Sequence, residues 1–312
     1  MKWTKCSNLP VGMRYAHATV INDTLYIGGG SCPSVNNEYF MFSYTLTEDQ
    51  WRRLPLLPQC YGVPANINNE LCYTGGRDYS TMRSTNKVIT LHNDHWITKH
   101  PNMMVARREH AVVTYQHYTI VAGGVGEDES TLDTIEVFNC NNDQWTMLPI
   151  HLPQPMNWIN GTTCNQSLFI AGYAGADDRR YSNTFIITMD SLVGTEQQQS
   201  ITSSTSEDDN KWSELCYTPY WNTAIVPNTS PPVIIGGSDN QRKVVNNISL
   251  YDDSSNTWRT VSSLPISCAG ATVATVNNMI IVAGGCTDDS TLETANATTL
   301  TSVVLGQLEL CD

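Results

Sequence analysis

Three arginines and five aromatic residues fall at matching points of the chain, each a few residues ahead of a short apolar run. Alignment of these segments on His17-Ala18 and His110-Ala111 puts Arg14, Tyr61, Arg107, Asn157, Tyr220 and Ser267 at one position. The next position then holds Tyr15, Gly62, Arg108, Trp158, Trp221 and Cys268. Arginine together with tyrosine and tryptophan is the side-chain set enriched in binding hot spots. Arg14, Arg107 and Arg108 have the planar fork that grips a carboxylate or phosphate through two hydrogen bonds. Tyr15, Tyr61, Trp158, Tyr220 and Trp221 supply rigid apolar walls. His17 and His110, three residues beyond the first aligned position, read as packing residues.

Other candidate groups point away from catalysis. His92, Asp94 and His95 (HNDH) are metal-ligand types, but they occupy a turn where other units carry NND or EDQ, and turn chemistry accounts for them. The run Glu127-Asp128-Glu129 reads as a solvated loop with a like-charge cost. The ten cysteines are scattered singly without a CxxC, which leaves zinc-ribbon and thioredoxin-like readings unsupported. The glycine pairs open no helix, so none is a phosphate-binding loop. No catalytic set, metal site or cofactor is expected.

The elements that must position these residues repeat. Gly28-Gly29, Gly75-Gly76, Gly123-Gly124, Gly236-Gly237 and Gly284-Gly285 each close an apolar run, with Ala171-Gly172 as a degenerate sixth. Trp51, Trp96, Trp145, Trp212 and Trp258 follow, and Trp3 stands alone at the start. The period is about 48 residues, which marks one structural unit copied around a ring or along an array. The third unit is the clearest: RREHAVVT (107–114), YTIVAGG (118–124), TLDTIEVFNC (131–140) and WTMLP (145–149) are four short strands separated by turn residues. They predict a four-stranded antiparallel sheet with strands a, b, c and d. The glycines allow close backbone approach. The tryptophans, with an aromatic seven residues earlier in Tyr44, Phe138 and Tyr251, fill the space between sheets. Ile89 takes the aromatic position in the second unit.

Paired glycines, a c-strand aromatic, a tryptophan and then Leu-Pro resemble the kelch repeat, as in YIGGG, Tyr44 and WRRLP (26–55) or IIGG, Tyr251 and TWRTVSSLP (234–265). The resemblance covers essentially the whole chain. It implies an all-β, six-bladed propeller with four antiparallel strands per blade. The N-terminal d strand, Lys2 to Cys6, would pair with C-terminal a, b and c strands and close the ring. Residues 1–312 then form a single kelch β-propeller domain. A polar, mobile insertion is expected at about 191–210 in blade four, and a Thr/Ala-rich one at about 287–299 in blade six.

Peptide-recruiting kelch domains use the face where the d–a and b–c connections emerge. That implication adds Arg77, Asp78, Tyr79 and Arg83 from blade two. It adds Tyr173, Asp177, Asp178, Arg179, Arg180 and Tyr181 from blade four, and Asn240, Arg242 and Lys243 from blade five. An arginine at the start of strand a also fits a structural role, bracing the neighbouring blade through backbone hydrogen bonds. The resulting expectation is a protein-interaction module that binds a peptide or protein at the channel mouth, through an acidic or phosphorylated residue. The contact set is Arg14, Tyr15, Tyr61, Arg77, Arg107, Arg108, Trp158, Tyr173, Tyr220, Trp221 and Arg242. Resemblance to the substrate-recognition modules of cullin-type ubiquitin ligases extends it, although the BTB and BACK domains usual there are missing from this sequence. The alternatives are a small-molecule or sugar-processing propeller using the same pocket, and an actin or scaffold contact made by the rim.

The net charge of −13 argues against general nucleic-acid binding, which needs a basic surface. No apolar run approaches membrane-spanning length. The opening MKWTKCSNLP lacks the apolar stretch of a secretory signal, and single cysteines fit a reducing compartment, so a cytoplasmic location is expected.

Overall fold

Strand alternation and turn chemistry repeat six times, and in the computed structural model each repeat closes on itself as one sheet. The structure describes residues 2–32, 39–174, 183–193, 212–287 and 300–306. Blade one comprises His17–Ile21, Thr24–Gly28, Met41–Thr45 and Gln50–Arg53 as strands a to d. Blade two comprises Val63–Ile67, Glu70–Thr74, Val88–His92 and His95–Ile97. Blade three runs Ala111–Tyr115, Tyr118–Ala122, Ile135–Asn139 and Gln144–Met147. Blade four runs Met156–Cys164, Ser167–Ala174, Asn183–Thr188 and Ser213–Leu215. Blade five is Ala224–Ile225, Val233–Ile235, Asn247–Asp252 and Thr257–Ser263. The sixth sheet draws Thr272–Val276, Met279–Ala283 and Val303–Gly306 from the end of the chain and Trp3–Lys5 from its start. Trp3 pairs with Gly306 and Lys5 with Val304, so the ring closes through an antiparallel d strand as expected.

Tryptophans tie each of blades one to five to the one before. The indole N–H of Trp51 donates to the Ser7 carbonyl at 2.9 Å, Trp96 to Pro55 at 3.1 Å, and Trp145 to Pro101 at 2.9 Å. Trp212 reaches His151 at 2.9 Å and Trp258 reaches Cys216 at 3.3 Å. Every acceptor lies just beyond the preceding blade's strand d, so the bond both satisfies the indole and spaces the sheets. Tyr44, Phe138 and Tyr251 sit directly across from their tryptophans. Blade two departs from the seven-residue spacing: its c–d hairpin pairs His92 with His95, which sets Leu91, rather than Ile89, opposite Trp96.

The glycine pairs let the blades meet. Gly236 and Gly237 have φ of 63° and 102°, a region that side chains rarely adopt. A β-carbon at Gly236 would overlap the Cys268 carbonyl oxygen of the next blade, and the Gly237 N–H donates to that same carbonyl at 2.8 Å. Gly76, Gly124 and Gly285 make the matching bond to Arg107, Met156 and Met13, each at 2.8 Å.

Part of the expected insertion is ordered. Residues 191–193 belong to a short helix, Met189–Val193, that buries Met189, Leu192 and Val193 in the core shared by blades three and four. Residues 194–210, and 288–299 of the blade-six insertion, lie outside the described residues.

Arg107 is the main correction to the expected contact set. It is 0% exposed and pairs with Glu136, also 0% exposed, at 2.8 Å. The same guanidinium donates to the carbonyls of Gly123 (2.7 Å) and Thr134 (3.1 Å) and to the Thr134 hydroxyl (3.1 Å). The second Glu136 oxygen accepts the Met104 N–H at 2.6 Å. The Arg107 side chain therefore ties the segment entering blade three to that blade's strands b and c, and a partner cannot reach it.

Two substitutions test these contacts by urea denaturation. Gly236→Ala adds a side chain in left-handed backbone against a carbonyl and should cost more than about 2 kcal/mol. Arg107→Met leaves Glu136 buried without its cation and should cost about 3–5 kcal/mol, while Arg107→Met with Glu136→Leu should recover most of it. A single mutant that denatures like the parent chain would contradict the assigned contact.

Candidate functional site: the mouth of the channel

Where each blade's strand a begins, one residue takes left-handed backbone. Tyr15, Tyr61, Glu109, Trp158, Asn222 and Gly270 have φ of 55°, 56°, 57°, 48°, 56° and 60°. They ring the end of the channel on the d–a and b–c face and link neighbouring blades. Tyr15 donates its N–H to Gly270 O at 2.8 Å, Gly270 to Asn222 O at 2.9 Å, and Glu109 to Tyr61 O at 2.9 Å. The preceding residue forms an isolated β-bridge in four blades: Arg14 with Ser31, Arg108 with Val125, Trp221 with Ser238, and Ala269 with Cys286.

This backbone register corrects the sequence alignment. Blades one and four stand as aligned. Blades two, three and five shift by one residue and blade six by two, which brings Glu109, Asn222 and Gly270 into the ring. Trp221 therefore lies one step off the ring. Its indole donates to the Asp239 carbonyl at 3.2 Å, and the Tyr220 hydroxyl accepts from the Asn247 amide. Both turn toward blade five's own strands.

At blade four, strand a carries a register shift between Asn157 and Asn160. Such a bulge re-aims the side chains within it. Here it sends Trp158 across the channel: its ring meets Tyr15 of the opposite blade edge-on at 5.4 Å and Tyr61 at 6.1 Å. Trp158, Tyr15 and Tyr61 thus form an aromatic bar over the mouth. Tyr173, from strand b of blade four, completes the wall. Its hydroxyl donates to the Asn222 side-chain oxygen at 2.9 Å and accepts the Asn222 backbone N–H at 3.2 Å. The Asn222 amide in turn reaches the Tyr15 hydroxyl at 3.4 Å.

A cavity of about 530 Å³, including the solvent that opens onto it, lies beside this bar. Tyr15, Trp158 and Tyr173 line it, as do Asn222, His17, Asn160 and Gly270. His17 was expected only to pack. Burial holds its imidazole down to about 4, so it is neutral near pH 7. His110 is fully buried against the Thr74 hydroxyl at 3.1 Å and does keep to packing.

The cations sit mostly away from the cavity. Arg14 is 5% exposed, with its guanidinium 5.7 Å from the Tyr15 ring centre. Arg108 is 8% exposed and held by Glu129 at 2.6 and 3.2 Å and by the Ser84 hydroxyl at 2.9 Å. Neither offers a free fork to a ligand, so both leave the group expected to grip an anion. The acidic run is not simply solvated: Glu129 holds Arg108, Asp128 accepts from Ser130, and Glu127 meets Arg83 at 3.3 Å. Arg77 donates to the Met82 carbonyl at 2.6 Å from a half-buried position. Arg242 and Lys243 are exposed on the blade-five loop. Asp177, Asp178, Arg179, Arg180 and Tyr181 lie outside the described residues. Asp94 of the HNDH turn pairs with Arg52 at 2.7 Å, and no cluster of three or more potential metal ligands occurs among the described residues. No described helix is long and apolar enough to cross a membrane.

The profile of the Kelch motif family matches residues 106–150 and 233–265, within blades three and five. The human Kelch repeat and BTB domain-containing protein 12 is 28% identical over 216 residues, covering 60% of this chain and 34% of the relative. Mouse Kelch-like protein 15 is 25% identical over 249 residues, covering 75% and 39%. The Kelch-like protein terF of Aspergillus terreus is 21% identical over 323 residues, covering 91% and 64%. The chain thus spans between a third and two-fifths of the length of the first two relatives. A solved structure described as that of YjhT superposes with a TM-score of 0.73 at 14% identity, covering 97% of each chain, which establishes likeness of fold. With six four-stranded blades in a closed ring, five of their junctions stapled by tryptophan, and kelch motifs matched in two blades, the chain is a kelch-repeat β-propeller.

Proposed function

We propose that this propeller is a protein-interaction module that seats a peptide or protein segment on the channel mouth formed by its d–a and b–c connections. The observation that carries the reading is the aromatic bar of Tyr15, Trp158 and Tyr61, half-buried and held edge to face beside an open cavity. Rigid aromatic groups that keep part of their surface in water are the side chains from which binding hot spots are built. Among the described residues the cavity lining includes no carboxylate to work with His17 as an acid–base pair, which favours recognition over the sugar-processing alternative. A preference for an acidic or phosphorylated residue rests on the rim cations Arg242 and Lys243 of blade five and on Arg77 of blade two, rather than on Arg14, Arg107 and Arg108. Similarity to proteins named for kelch and BTB domains supports a role in presenting substrates to a ubiquitin ligase.

Pull-down from cell extract followed by affinity measurement on the captured partner tests the reading. Trp158→Ala should weaken binding at least tenfold, with a thermal midpoint close to that of the parent chain. Arg242→Glu should weaken it less, and more strongly at low salt. For the ligase role, the partner should accumulate in cells lacking this protein. A partner held equally well by Trp158→Ala would remove the mouth as its site.

A further inference from the structure

The half of the mouth between blades four and one differs from the rim in one respect. Among the described residues, those lining its cavity include aromatic rings, amides, hydroxyls and an imidazole, but no Asp, Glu, Lys or Arg. Two of the polar groups, the Asn160 amide and the His17 ring, also line the next cavity down the channel, so they form the floor beneath Tyr15, Trp158 and Asn222. Neither side chain has a hydrogen-bond partner among the described residues, whereas Asn222 and Tyr173 above them bond to each other. We propose that this half-mouth is a subsite for the head group of an asparagine or glutamine side chain of the bound peptide. The inference rests on the peptide reading and deepens it.

The chemistry is complementary on both counts. A primary amide presents one carbonyl acceptor and an NH2 donor side by side. The Asn160 amide offers the reciprocal pair, and a neutral imidazole adds one donor and one acceptor. Burial keeps His17 in that neutral form, with its pKa lowered to about 4. The flat amide also suits the cavity that the Trp158 and Tyr15 rings wall on one side. A carboxylate or ammonium entering the same cavity would give up its hydration with no opposite charge among the described lining residues, which is a large cost. Acidic residues of the peptide are thereby directed outward to Arg242 and Lys243.

Two measurements on the full chain separate this inference from the peptide reading. In the first, propionamide, propionate and propylammonium are titrated separately and followed by saturation-transfer NMR. The amide should give a signal and the two ions at least tenfold less. Asn160→Leu should abolish the amide signal. Asn160→Asp, nearly isosteric and so a safeguard against misfolding, should transfer preference to propylammonium. In the second, a peptide library with one randomised position is selected on the protein, and asparagine and glutamine should be enriched. Ions bound as well as the amide, or an amide signal unmoved in both variants, would overturn the subsite. Selected peptides enriched in a charged residue at that position would overturn it while leaving the mouth a peptide site. Amide binding without any peptide selected would sustain the subsite and remove the peptide reading, and binding in neither measurement would remove both.

Discussion

At the end of strand b in blades two, three, five and six, a backbone N–H donates to a carbonyl at the start of the next blade, across a gap that has no room for a β-carbon. The Gly237–Cys268 and Gly285–Met13 bonds are two instances. The bond fixes how closely the sheets pack on the channel side, while the tryptophan bond fixes the outer side, as with Trp145 and Pro101. Held at both ends, a blade has little freedom to tilt. The segment joining strand d to the next strand a must then turn sharply, and the left-handed residues are that turn. The mouth is thus a by-product of blade packing, and its side chains start from positions that the scaffold dictates.

Those positions carry a conformational cost. Left-handed backbone is disfavoured by roughly 1–2 kcal/mol for a residue with a β-carbon. Blade six meets the requirement with Gly270, and the other five blades place a tyrosine, glutamate, tryptophan or asparagine there. Bulky residues held in such a conformation cluster at sites of function. Tyr15, Tyr61 and Trp158 fit that pattern, because their rings meet one another over the channel instead of packing between the sheets.

Most of the architecture was legible in the chain. Paired glycines and spaced tryptophans report directly on inter-blade geometry, since few other residues satisfy those contacts. The mouth was harder to read. Its defining property is a backbone angle, and tyrosine, glutamate, tryptophan, asparagine and glycine share no side-chain chemistry that an alignment could follow. Aligning on His-Ala placed Arg107 and Trp221 where Arg108 and Asn222 belong. Asn222 carried a usable signal, because asparagine tolerates the left-handed region better than most residues. Glu136 carried another: an acid at an inward position of an apolar strand rarely stays buried without a cation, and Arg107 is that cation. Asn160 gave no signal at all, because only the bulge that precedes it settles which way that stretch of strand faces.

The ring also has a property that its repeated blades conceal. Backbone positions recur around the axis at sixfold intervals, yet the six residues at the mouth are three aromatics, a carboxylate, an amide and a glycine. Trp158 breaks the symmetry further by leaning across to Tyr15. A propeller with identical blades would accept a guest in six equivalent rotational settings, and this one offers a single setting. For the peptide ligand proposed above, direction along the chain would be encoded in the scaffold itself, so that a reversed sequence would be a different ligand even with the same composition.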